Sequence, residues 1–170
     1  IDTTVPTLSS VTIASSNSDN TMAKVGTRIT VSITSLGATQ SYSVSIAGQT
    51  ATVTGSGTSW SAYYDMTSSY SQGAVSLSIS FSDLSGNSGN TVTSTTNSSI
   101  VQFDKTSPTI SEVTAVTSPT GDTTPNYTFS SNEAGTITYG GTCSSLTTLA
   151  SASNNPITFN ALADGTYNCT

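Results

Sequence analysis

Histidine is absent and charge is scarce: three Lys or Arg stand against nine Asp or Glu, a net charge of −6. The missing imidazole excludes every Ser-His or Cys-His catalytic arrangement. Three bases cannot form the basic patch that nucleic acid demands. The nine acids are scattered, and most stand in turn-like contexts where Asp caps backbone N–H groups, so a paired-carboxylate hydrolase is not indicated. No apolar run approaches the roughly 20 residues needed to cross a bilayer as a helix. Only two cysteines occur, Cys143 and Cys169, and the chain lacks the ligands or bases that a metal site or catalytic thiol would add to them. Together these absences point away from an enzyme and away from nucleic-acid or membrane-inserting roles.

What is present is hydroxyl. Serine and threonine make up about two-fifths of the chain, far above ordinary globular usage. Such a composition could mark a low-complexity tail. The placing of the apolar residues argues otherwise, because Val, Ile, Leu, Tyr and Phe recur at alternate positions. Threonine also suits a pleated surface through its branched Cβ. The expectation is a folded all-β protein with a hydroxyl-rich exterior.

A short phrase occurs twice. Ile1-Asp2-Thr3-Thr4-Val5-Pro6-Thr7-Leu8 returns as Phe103-Asp104-Lys105-Thr106-Ser107-Pro108-Thr109-Ile110, with Asp104 standing 102 residues after Asp2. Both read apolar-Asp-x-Thr-x-Pro-Thr-apolar. A linker repeated at that period implies tandem domains, here 1–104 and 105–170. Ile1 falls inside the linker phrase, so the chain reads as an excerpt of a longer repetitive protein.

The first domain reads as seven strands. Leu8 to Ala14 alternates Val11 and Ile13 against Ser10 and Thr12. Arg28 to Thr34 puts Ile29, Val31 and Ile33 on one face, and Tyr42 to Ala47 does the same with Tyr42, Val44 and Ile46. Thr50 to Thr54 follows a Gly48-Gln49 turn. Ser59 to Asp65, after a Gly55-Ser56-Gly57 turn, presents Trp60, Ala62 and Tyr64. Val75, Leu77, Ile79 and Phe81 line the next strand, and a long last strand is expected to end near Phe103. This period of two, punctuated about every ten residues, predicts a β-sandwich. The second domain repeats the pattern with Ile110 to Val116, Asn126 to Phe129, Thr136 to Tyr139 and Ile157 to Phe159. It is expected to stop at Thr170 before its last strand, leaving either a fragment or an edge that another chain completes.

A chain poor in lysine and rich in Thr, Ser and Asn has an extracellular cast, a setting in which a Cys143–Cys169 disulfide would persist. The alternative is two buried free thiols. Three glycosylation sequons occur, at Asn97, Asn126 and Asn168, but eleven Asn in so hydroxyl-rich a chain give about that many by chance, so they carry no weight.

Leu162-Ala163-Asp164-Gly165-Thr166-Tyr167-Asn168-Cys169 resembles the tyrosine corner of immunoglobulin-like domains, with Tyr167 two residues before a cysteine. The usual partner cysteine lies on strand B, where this chain has Tyr127 and Phe129. Cys143 would instead follow strand C, so the bridge would not be the usual staple between sheets. Ile46-Ala47-Gly48-Gln49-Thr50-Ala51-Thr52-Val53, Asp83-Leu84-Ser85-Gly86-Asn87, Phe129-Ser130-Ser131-Asn132-Glu133-Ala134-Gly135 and the two linkers add to the likeness. The chain is similar to the bacterial Ig-like repeats of large cell-surface adhesins and biofilm-associated proteins. The resemblance implies tandem immunoglobulin-like sandwiches, secretion and surface display. It also implies neighbouring repeats as partners and, in some members, Ca²⁺ at the joints; a cell-surface glycan or protein held by the repeats themselves is a separate expectation.

In such a sandwich the entry linker and two of its loops share one end. Hard cations want several oxygens, so the calcium candidates are Asp2 with Asp83 and Asn87, and Asp104 with Glu133, faced by Asp19 of the first domain. The competing reading is that these acids only close turns. Trp60, Tyr63 and Tyr64 could stack on a sugar, although Trp60 shares a face with Ala62 and is expected in the core. Lys24 and Lys105 are the candidates for a spontaneous Lys–Asn cross-link. The alternatives to a spacer are a self-assembling subunit of a surface layer, sheath or pilus completed by strand exchange, or a module that itself binds a glycan or protein.

Overall fold

The computed structural model describes residues 2–170. The chain is all-β, with no helix among these residues, and divides into two compact units, Ile1–Lys105 and Thr106–Thr170. In the first unit the strands are β1 Leu8–Ser15, β2 Met22–Ala23, β3 Arg28–Ser35, β4 Thr39–Ile46, β5 Gln49–Thr50, β6 Thr52–Ser56, β7 Ser59–Asp65, β8 Gly73–Ala74, β9 Leu77–Asp83 and β10 Gln102–Phe103.

Two sheets face one another. One has the order β1-β3-β7-β6 and the other β5-β4-β9. Alternation does what it predicts: Val11 and Ile13, Ile29, Val31 and Ile33, and Ala62 point inward from the first sheet, while Val44, Ile46, Leu77, Ile79 and Phe81 point inward from the second. The intervening Ser and Thr residues are left at the surface. A third, small sheet of order β2-β10-β8 closes one margin, with β10 parallel to β2 and antiparallel to β8.

Several expected strands differ in detail. The stretch around Thr50–Thr54 is two pieces: β5 pairs with β4, β6 pairs with β7, and the chain changes sheets at buried Ala51. The β4–β5 hairpin turns on Ala47-Gly48, whose φ values of 52° and 74° suit a tight two-residue turn, rather than on Gly48-Gln49. Gly55 lies inside β6 opposite Trp60, and the β6–β7 connection lies beyond Ser56. The long last strand is absent. Residues 88–101 pair with β9 only at isolated bridges, Ser88 to Ser82 and Val92 to Ile79, before β10 forms. The run Asn90-Thr91-Val92-Thr93-Ser94-Thr95-Thr96-Asn97 has few apolar side chains to bury, and Thr96 and Ser99 bond across to the amides of Val11 and Ile13 instead.

The second unit carries β11 Ile110–Thr114, β12 Asn126–Ser131, β13 Gly135–Thr136, β14 Leu149–Ala150 and β15 Asn154–Thr158. Its main sheet runs β11-β12-β15, and β13 pairs with β14. Pro156 is accommodated because β15 has a partner on one side only. The expected strand Thr136–Tyr139 is reduced to Gly135–Thr136, and the final segment forms no strand, making one isolated β-bridge, Gly141 to Cys169. The core is small: Phe129, Cys143, Ile157 and Phe159 are its buried apolar members.

Candidate functional site

Asp2, Asp83 and Asn87 do come together. Asp83 ends β9, and its Oδ1 accepts the backbone N–H of Asn87 at 2.8 Å. The Asn87 amide donates through Nδ2 to Asp83 Oδ2 at 2.8 Å and to the Asp2 carbonyl at 3.2 Å. Hydrogen bonding by the Asn87 side chain, and then by backbone N–H groups of the turn, holds the Asp83 carboxyl below its ordinary pKa. Asp2 Oδ1 meanwhile accepts the amide of Thr4 at 2.9 Å. The arrangement is an N–H donor clasped between oxygens. A cation would have to displace that amide to reach them.

Asp19 also closes a turn with its carboxylate, whereas Asp104 and Glu133 are held through their backbones. Asp19 Oδ1 takes the hydroxyl of Thr21 at 2.6 Å and its amide at 3.0 Å, which lowers the Asp19 pKa, the hydroxyl contributing most. The amide of Asp104 donates to the Ala23 carbonyl at 2.8 Å, extending the β2–β10 ladder. Asp19 and Asp104 belong to the first unit and Glu133 to the second. The Glu133 amide donates to Ser131 Oγ, which donates in turn to the Glu133 carbonyl. Among the described residues no group of three or more His, Cys, Asp or Glu side chains is placed to hold a metal ion.

Cys143 and Cys169 form a disulfide, with Cα atoms 5.2 Å apart. Cys143 is buried among Phe129, Ile157 and Phe159, and Cys169 bridges to the neighbouring Gly141 segment. The Tyr167 hydroxyl donates to the Ala163 carbonyl at 2.8 Å, fixing the bend that precedes Cys169. Beside this bend an apolar groove of about 550 Å³ opens along the second unit, lined by Ile110, Val116, Tyr127, Phe129, Phe159 and Tyr167. Burial, and then Glu112, pushes the Tyr127 hydroxyl up.

The aromatic residues of the first unit are committed to packing. Trp60 lies 4.7 Å from the Tyr42 ring and donates Nε1–H to the Gly57 carbonyl. Tyr64 and Tyr70 share a hydroxyl–hydroxyl bond of 2.7 Å. Tyr63, on the outer face, is covered by the Arg28 guanidinium at 4.2 Å. Arg28 in turn makes two bonds to Asp65, of 2.7 and 2.9 Å. Sequence reasoning missed this trio, yet Arg28 and Asp65 sit at opposite ends of paired strands, and the register alone brings them face to face. Lys105 Nζ donates to the carbonyls of Ser68 and Tyr70, not to an asparagine side chain.

Comparisons with protein-family models, curated proteins and solved structures found no significant match.

Proposed function

We propose that this chain is a segment of an extracellular, surface-displayed protein built from immunoglobulin-like repeats, and that it acts as a rigid spacer for adhesion or biofilm formation. The supporting observation is that one strand order recurs behind one linker phrase. In the first unit β1-β3-β7-β6 faces β5-β4-β9, which corresponds to strands A-B-E-D against C′-C-F of an immunoglobulin-like sandwich. In the second, β11-β12-β15 is again A-B-E. Each unit is entered through Asp-x-Thr-x-Pro-Thr. Proline fixes φ and shortens the range of bends such a linker adopts. Hydroxyl-covered outer faces, sparse charge and a disulfide suit an oxidising exterior. The spacer reading does not require calcium: the carboxylates of Asp2, Asp19 and Asp83 each accept hydrogen bonds from their own turns. The spacer's partners are the neighbouring repeats. Small-angle scattering on two or more consecutive repeats in chelator is expected to give an elongated particle; a compact particle would overturn the spacer.

A second reading has one specific observation in its favour. The open apolar groove of the second unit is the kind of surface that an added strand covers, which would make the chain a self-assembling subunit of a layer, sheath or pilus. Concentration-dependent oligomers in sedimentation would favour that reading, and a monomer at all concentrations would reject it.

A further inference from the structure

We infer that Lys105 is a latch that fixes, without a metal ion, the direction in which the chain leaves the first unit. The inference deepens the spacer reading and rests on it for its purpose, though not for its test. The latch is built from the inside outward. Phe103 is buried at the end of β10. Tyr70 packs edge-on to Phe103 with ring centroids 6.5 Å apart, and edge-on to Tyr64 at 5.8 Å. The Tyr70 hydroxyl donates to that of Tyr64, so the loop carrying Tyr70 is pinned at the ring and at its tip. This pinned loop turns two carbonyls toward one point. Lys105 Nζ donates to the Ser68 carbonyl at 3.0 Å and to the Tyr70 carbonyl at 2.8 Å. The Lys105 amide donates to Gln72 Oε1 at 3.1 Å. Upstream, the Gln102 amide bonds to the Thr21 carbonyl and the Asp104 amide to the Ala23 carbonyl, each at 2.8 Å.

Residues 102–105 are thus tied to two different parts of the first unit: the β2 side through the backbone and the loop after β7 through Lys105. Two attachments on different sides of a chain remove rotation as well as translation. The ammonium group gathers two backbone carbonyls around one positive charge. A lysine brings that charge on its own stem, independent of any ion concentration outside the cell.

The test is amide ¹⁵N relaxation of the 170-residue chain in chelator, comparing wild type with Lys105→Met and with the double variant Lys105→Met/Gln72→Ala. Methionine keeps the apolar stem and removes the charge. The wild-type amides of Asp104 and Lys105 are expected to show order parameters near the roughly 0.85 of rigid backbone, falling in the double variant toward the below about 0.6 of flexible segments. Lys105→Met alone should give an intermediate loss. Lys24→Met serves as a control and should change nothing at 104–105. Tyr70→Ala, which frees the loop, should loosen Lys105 as well. Unchanged order in the double variant, or a wild-type Lys105 amide that is already flexible in chelator, would overturn the latch. An elongated scattering profile with either of those results would leave the spacer standing and remove only the latch.

Discussion

Aspartates in this chain do local work, and that work is sensitive to acid. The carboxyls of Asp19, Asp65 and Asp83 are all held below the ordinary value of 3.8, by hydrogen bonds from Thr21, Arg28 and Asn87 respectively. A depressed folded-state pKa means that the ionised form is favoured by folding. The stabilisation is therefore complete above the unfolded pKa, near 3.8, and is lost as pH falls through the lower folded value. Stability of the first unit should be flat from neutrality down to about pH 4.5 and then decline. Asp83→Asn removes the ionised clasp on Asn87, so its stability should already be lower at neutral pH and should fall less steeply below pH 4. Urea midpoints measured from pH 7 to pH 2.5 would check this. Identical slopes for wild type and variant would show that Asp83 contributes nothing through its charge.

Strand faces were legible in the sequence, and strand continuity was not. Alternation placed Ile29, Val31 and Ile33, and Val44 and Ile46, correctly because each lies in a strand buried on one face only. It failed where a strand changes sheets or gives way to hydroxyl bonds. Thr50–Thr54 reads as one strand, yet the chain crosses at Ala51, and no period-two pattern records a crossing. The stretch 88–101 reads as a strand from its β-branched threonines, but the hydroxyls of Thr96 and Ser99 take the backbone amides of Val11 and Ile13, and that of Thr95 turns back to the Ser99 carbonyl. The Cys143–Cys169 pairing was legible, because it depends on oxidation chemistry and not on strand pattern. The acids were legible only as alternatives, since turn closure and cation binding use the same oxygens. Gly55 was misread as a turn residue for a similar reason: glycine marks turns and close approaches alike. In the structure it lies in β6 with φ 136°, and a Cβ there would strike the Ser59 carbonyl and Trp60 backbone. Gly55→Ala should therefore cost more than about 1 kcal/mol, read from urea denaturation, whereas Gly37→Ala, in open space, should cost less. Equal costs at both sites would contradict the close approach.

The two units differ in what holds them. The first closes a core from two sheets, with Ile29, Ile33, Ile46, Ile79 and Phe103 fully or almost fully buried. The second, with Phe129, Cys143, Ile157 and Phe159 as its buried apolar residues, falls in the size range where a hydrophobic core alone supplies only a few kcal/mol. Its disulfide joins residues 26 apart, a constraint worth about 3 kcal/mol in the chain-entropy account. That is comparable with everything its core supplies. Calorimetry should accordingly resolve two transitions, with the second unit melting first. Reduction by dithiothreitol, or the paired change Cys143→Ser/Cys169→Ser, should act on the lower transition alone. At roughly 4–8 °C per kcal/mol for a domain of this size, the shift would exceed about 10 °C and could carry the transition below room temperature. The upper transition should stay in place, because the first unit contains no cysteine. If both transitions moved together on reduction, the two units would be unfolding as one cooperative body, and the second unit's stability could not be assigned to its own core and disulfide.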